Sequence, residues 1–207
     1  MIKTPFVLVL ILALASPALA QTVVGTSVLC GKRVELLNDN TWRFADIPES
    51  DGKCVPINTV LSFCGTILNW RPTRTSGTDF IRVFEHSNRI AAGIIYEEVG
   101  AADGMDLAFM RNVIIETAAD ATGMRPEDVV ISNVEDRSVE GLPAETISYQ
   151  VVMNGLDLRY QNTIVSSENH TFQLVAWNVG KEEPEEFVDI ANSFVDAVRI
   201  TLPEASE

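Results

Sequence analysis

Leu142 to Ser166 reads LPAETISYQVVMNGLDLRYQNTIVS, and this stretch decides the fold. Asn154-Gly155 sits between two alternating apolar runs, the strongest short-range signal for a β-hairpin. A type I′ turn needs φ > 0 at both central residues, which Asn and Gly tolerate. Pairing Met153 with Leu156 sets the register. Val151 then faces Leu158, Tyr149 faces Tyr160 and Ile147 faces Asn162. On the other side Val152 meets Asp157, Gln150 meets Arg159 and Ser148 meets Gln161. One face is apolar and the other mixed, so a one-residue slip would scramble both. Tyr149, Val151, Leu158 and Tyr160 are therefore expected to be scaffold.

Working outward, Thr171–Val179 reads as the next strand. Phe187, Ile190, Ala191, Phe194, Val195 and Val198 form an apolar helical stripe after the acidic run Glu182 to Glu186. This second helix is expected to cover the hairpin sheet. Upstream, Val129–Glu135 is a strand. Met105–Ala121 is a helix with Leu107, Met110, Ile114, Ala118 and Ala121 at helical spacing, Asp103 as N-cap and Gly123 after its end. Phe80–Glu85 and Ile90–Glu98 are strands around His86-Ser87-Asn88, the second nearly continuous in apolar residues. Asn58–Trp70 is apolar and β-prone, and Arg71–Gly77 is a basic loop. Arg33–Leu37 and Thr41–Phe44 form a small hairpin, preceded by a short β-prone run over 21–29. Strands, helix, consecutive antiparallel strands and a final helix make an α+β fold, a mainly antiparallel sheet covered by helices.

The chain begins MIKTPFVLVLILALASPALA. Lys3, an apolar run from Phe6 to Ala15 and Ala18-Leu19-Ala20 have the form of a secretory signal peptide cleaved after Ala20. The apolar run is about half of the roughly 20 residues a membrane span needs, so no stable anchor is expected in the mature chain. The expected organisation is a signal peptide over 1–20, a small β-hairpin element with its linker over 21–56, a main α+β domain over 57–203 and a polar tail over 204–207. The expected location is periplasmic or secreted.

The full chain carries a net charge of −14, and removing the single Lys of the signal leaves −15. That surface argues against nucleic acid as a partner. Another envelope protein is the expected partner. Cys30, Cys54 and Cys64 allow three single pairings in an exported protein, and spacing does not choose among them. Cys30–Cys54, closing a loop around the first hairpin, is the expected bridge, with Cys64 as a buried thiol.

From Gly141 onward the pattern resembles the PsbP-like fold family, which includes photosystem II extrinsic subunits, a Ran-binding import factor and DcrB-type envelope proteins. Gly141-Leu142-Pro143-Ala144, the Tyr149 strand and the Gly155 to Tyr160 strand carry the resemblance, with Phe172 to Trp177 and the Ile190, Ser193 and Phe194 positions of the last helix. It implies an α/β/α sandwich and says little about activity, because fold does not set function. The small N-terminal hairpin lies outside it.

No G-x-S-x-G, H-E-x-x-H, P-loop or G-x-G-x-x-G occurs. The two histidines, His86 and His170, fall at expected turns. Meeting in the fold, they could bind a metal with Glu85 or Glu168; the expected reading is two solvated turn residues. Glu97, Glu98, Asp103 and Asp106 could hold a cation, but their spacing matches no calcium loop and helix capping accounts for Asp103. No catalytic residue, cofactor or metal is therefore assigned. Trp42 and Trp70 are the candidate partner surface. Trp177 lies opposite Phe172, Leu174 and Ala176; it is core if that face is covered and interface if open, and core is expected. The sequence thus points to an exported, non-catalytic binding or accessory protein. A hydrolase with a cleft site and a metal-binding envelope protein stand as alternatives.

Overall fold

The computed structural model describes residues 22–29, 32–44, 54–74, 78–180 and 185–203. The signal segment, Cys30 and the polar tail lie outside these. The chain divides into two units, Met1–Asp46 and Ile47–Glu207.

In the smaller unit, β1 (Val23–Leu29), β2 (Lys32–Leu37) and β3 (Trp42–Phe44) form an antiparallel sheet in that order. The β2–β3 turn is closed by Asn40 at φ 63°, and Asp39 Oδ1 accepts from the Thr41 amide at 3.0 Å. Val34 and Leu37 are buried, while Trp42 is 54% exposed.

The larger unit contains β4 (Val55–Pro56), β5 (Leu61–Phe63), β6 (Arg71–Thr73), β7 (Arg82–Glu85), β8 (Ile90–Glu97), α1 (Leu107–Thr122), β9 (Val130–Val139), β10 (Leu142–Met153), β11 (Leu156–Ser166), β12 (Thr171–Val179), α2 (Phe187–Ala197) and β13 (Val198–Ile200). Seven strands form one antiparallel sheet in the order β6-β7-β8-β12-β11-β10-β9, and β13-β5-β4 form a smaller one. Val55–Pro56, expected in the linker, thus belongs to the larger unit. Among the described residues no helix is long and apolar enough to cross a membrane.

The hairpin forms in the register its sequence dictates, from Met153 against Leu156 through Ile147 against Asn162. Asn154 and Gly155 take φ of 53° and 78°. The helix on its apolar face, however, is α1. Met110, Ile114, Ile115 and Ala119 pack on Ile147, Tyr149, Val151, Leu158 and Ile164. The α2 stripe lies on the opposite face, over Ala92, Ile94, Ala144, Val165, Phe172 and Leu174. The pairing explains the correction. Phe172 stands against Val165 and Leu174 against Thr163, so the apolar row of β12 continues the face that Ile164 does not occupy. The sheet has two apolar faces and needs a helix on each.

α1 starts later than its apolar spacing suggests. Asp103 caps a preceding 3-10 turn, accepting from the Gly100 amide at 3.3 Å. Gly104, at φ 86°, ends that turn, and Asp106 is the N-cap of the helix, accepting from the Phe109 amide at 2.8 Å. In β8, Gly93 is required by close approach, because a Cβ there would stand 2.5 Å from the Phe80 ring.

The disulfide joins Cys54 to Cys64, correcting the expected Cys30–Cys54 bridge. Pairing of Val55 with Phe63 brings the two cysteines side by side at the open end of β4–β5. Closing a loop of this size stabilises by about 2–3 kcal/mol on the chain-entropy model. Replacing both cysteines (Cys54→Ser with Cys64→Ser) should therefore lower the unfolding free energy by about that amount, measured by urea titration; an unchanged midpoint would show the bridge to be energetically idle.

Candidate functional site

Among the described residues, a continuous concave surface runs between α2 and the outer strands β9–β11. Two adjoining hollows of about 140 and 190 Å³ share Ser132, Ser148, Gln161 and Val188. A third, of about 130 Å³, continues from Arg137 towards Asp196 and Arg199. The strand alternation that buries Ile147 and Tyr149 under α1 turns Thr146, Ser148, Gln150, Arg159 and Gln161 to this side.

The polar lining is organised around α2. Asn192 Oδ1 accepts from Gln161 Nε2 at 3.0 Å and from Arg137 Nη1 at 3.1 Å. Arg137 also approaches Asp196 at 3.6 Å. The Thr146 and Thr163 hydroxyls meet at 2.8 Å, Ser132 Oγ donates to the Ser148 carbonyl at 3.1 Å, and Arg159 donates to the Gly180 carbonyl at 3.1 Å. The groove is thus a preformed array of hydroxyls and amides with the guanidinium of Arg137 held in place. Val130 and Val188 add an apolar rim, 60% and 48% exposed.

The opposite face of the hairpin holds a buried ion pair that sequence reasoning missed. Glu145 is 1% exposed and accepts from Arg111 Nε at 2.7 Å and also from its Nη2. This fork-to-fork hydrogen bonding, with the carboxylate charge, holds Arg111 above the usual guanidinium range. The signal was present. Glu145 continues the row of Ile147, Tyr149 and Val151, and an acid in an apolar row needs a cation opposite. Nearby, Tyr149 and Tyr160 stack with centroids 5.0 Å apart, and burial raises both phenols above their ordinary value. They serve as scaffold.

The other sequence candidates are dispersed. Trp70 is 2% exposed, with its ring 5.0 Å from Phe194; it is core, not partner surface. It follows a tight turn, its amide bonded to the Thr66 carbonyl at 2.9 Å, which turns the ring inward. Trp177 is half-buried against Phe80 at 5.5 Å.

His86 and His170 flank opposite ends of the β8–β12 pair. His170 Nδ1 lies 3.1 Å from Tyr96 Oη, with the rings stacked. His86 Nδ1 lies 2.9 Å from the Asn69 carbonyl, beside Trp70. Both rings are engaged and partly buried, not solvated as expected of turn residues. Among the described residues no group of three or more His, Cys, Asp or Glu could hold a metal ion.

Burial lowers the His86 pKa from its ordinary 6.5. The unfolded chain therefore takes up a proton that the folded chain resists. The contribution is fully present above about pH 6.5 and is lost as pH falls through the lowered folded value. Acidifying from about pH 7.5 to 5 should lower the wild-type Tm more than that of His86→Gln; parallel profiles would remove His86 as a pH-dependent contributor.

No protein-family model matches the sequence, and no curated protein matches it. Solved structures do match in fold. The solution structure of cyanobacterial PsbP from Synechocystis sp. PCC 6803 has 12% sequence identity and a TM-score of 0.51, covering 68% of this chain and 86% of that one. LpqN of Mycobacterium tuberculosis, described as involved in cell envelope biogenesis, has 13% identity and a TM-score of 0.43, covering 65% and 79%. At these identities the likeness concerns fold alone. The seven-stranded sheet with one helix on each face has the PsbP-like α+β fold, and the small N-terminal sheet precedes it.

Proposed function

We propose that this chain is an exported, non-catalytic binding or accessory protein of the periplasm or cell envelope, with another envelope protein as its partner. The groove beside α2 carries this reading. Its hydroxyls, amides and restrained arginine suit hydrogen-bonded recognition of a polar surface. The signal-like first 20 residues support export. The Cys54–Cys64 bridge supports an oxidising compartment. A hydrolase of the His-activated nucleophile type needs an imidazole beside the nucleophile, and the separate engagement of His86 and His170 does not favour that type. A metal-binding reading has no ligand cluster among the described residues to build on.

Affinity capture from the native envelope with a tagged chain tests the proposal. The expected result is one reproducible partner, retained through washing. Failure to capture any partner, together with a defined turnover activity, would overturn it.

A further inference from the structure

The two edges of the seven-stranded sheet differ. β6 is three residues long and contains Pro72, features that blunt an edge against pairing. β9 is ten residues long and lacks proline, and its residues are exposed except Arg137 and Val139. Its inner side pairs with β10 from Val130 to Val139, and among the described residues no strand pairs with its outer row of amides and carbonyls, which stands as a template. The same strand supplies Ser132, Asn133, Glu135 and Arg137 to the groove under α2. An added strand would therefore gain main-chain hydrogen bonds from the edge and side-chain contacts from the groove, the two components of recognition by strand addition.

Resting on the binding-protein reading, we infer that β9 docks an extended polypeptide segment of alternating apolar and basic residues. The edge presents exposed apolar side chains at Val130, Ile131 and Val134. Two exposed acids follow, Glu135 on the groove side and Asp136 on the other, where Arg111 already attracts it. Among the described residues Glu135 has no cation within ion-pairing distance. Cross-strand opposite charges stabilise and like charges directly opposite destabilise, so the position opposite Glu135 selects lysine or arginine. A second copy of the chain fits poorly. The antiparallel register that sets Glu135 against Arg137 of a second copy sets Asp136 against Asp136, and each chain carries −14.

The test uses the purified protein and a fluorescent peptide of about eight residues alternating valine and lysine, the length of an ordinary strand. A valine–glutamate peptide and the valine–lysine peptide N-methylated at every residue serve as probes of charge and of backbone pairing. The valine–lysine peptide should bind and slow amide exchange in β9. The N-methylated peptide, which keeps the charges but cannot donate to the edge, should bind at least about tenfold more weakly. The double variant Glu135→Lys with Asp136→Lys should lose the lysine peptide by a similar factor and gain the glutamate peptide. Equal affinity for the methylated and unmethylated peptides overturns strand addition in favour of diffuse charge attraction. No binding of the lysine peptide overturns the inference, as does β9 protection that rises with protein concentration alone, which would assign the edge to a second copy. Were a native partner still captured by the double variant, the binding-protein reading would stand while this inference fell.

Discussion

Arg111→Met should destabilise the protein by about 3 kcal/mol. The Glu145 side chain is 2% exposed, and Arg111 supplies both of its charge-assisted bonds. Removing one partner of a buried pair leaves an uncompensated charge, which costs about 3–5 kcal/mol. The Arg111 side chain is 39% exposed, so water reaches part of the pair and the lower end of that range applies. Total stabilities of single domains are about 5–15 kcal/mol, which makes the loss easy to read by urea titration. The double variant Arg111→Met with Glu145→Leu should recover most of it, because both charges then leave the apolar face together. A silent Arg111→Met, or a double variant no better than the single, would show that the pair does not operate as a buried one.

Phe194→Ala should cost about 3–5 kcal/mol, the range for emptying a buried aromatic site. Phe194 is 0% exposed and its ring lies 5.0 Å from Trp70 and 5.7 Å from Phe63 and Phe84. It joins α2 to β5, to β7 and to the turn before β6. Aromatic pairs in such tilted arrangements add to plain area burial, so the substitution removes several contacts at once. For a domain of this size the Tm should fall by roughly 6–20 °C. Phe194→Leu keeps most of the volume and should cost distinctly less. If the alanine variant melted like the wild type, α2 would not be seated on this face.

The hairpin was legible because two independent constraints agree. Asn154-Gly155 demands a left-handed turn, and the alternation about it tolerates one register. Thr171–Val179 and the α2 stripe were legible for similar reasons. Periodicity places a residue on a face without saying which helix covers that face. That is why α1, whose buried set is Met110, Ile114, Ile115 and Ala119, lies over the hairpin face expected to take α2. The information was recoverable one strand further on, since Phe172 alternates out of phase with Ile164. Trp70 and the disulfide depended on three-dimensional closure. A tight turn at Thr66–Asn69 and the pairing of β4 with β5 bring distant residues together, and neither has a composition signature as strong as Asn-Gly. The groove and the open β9 edge were illegible for a related reason. β9 reads as an ordinary strand, and only the sheet order makes it an edge.

Site-specific photo-crosslinking tests the central claim, that the chain works by docking a partner along β9 and the α2 groove. A photoreactive residue is placed at Asn133, on the open edge, or at Arg71, on the opposite edge of the same sheet. After incubation with native envelope extract, the account predicts one discrete adduct from position 133 and none from position 71. Equal adducts from both positions, or none from position 133 while a partner is still captured, would contradict it.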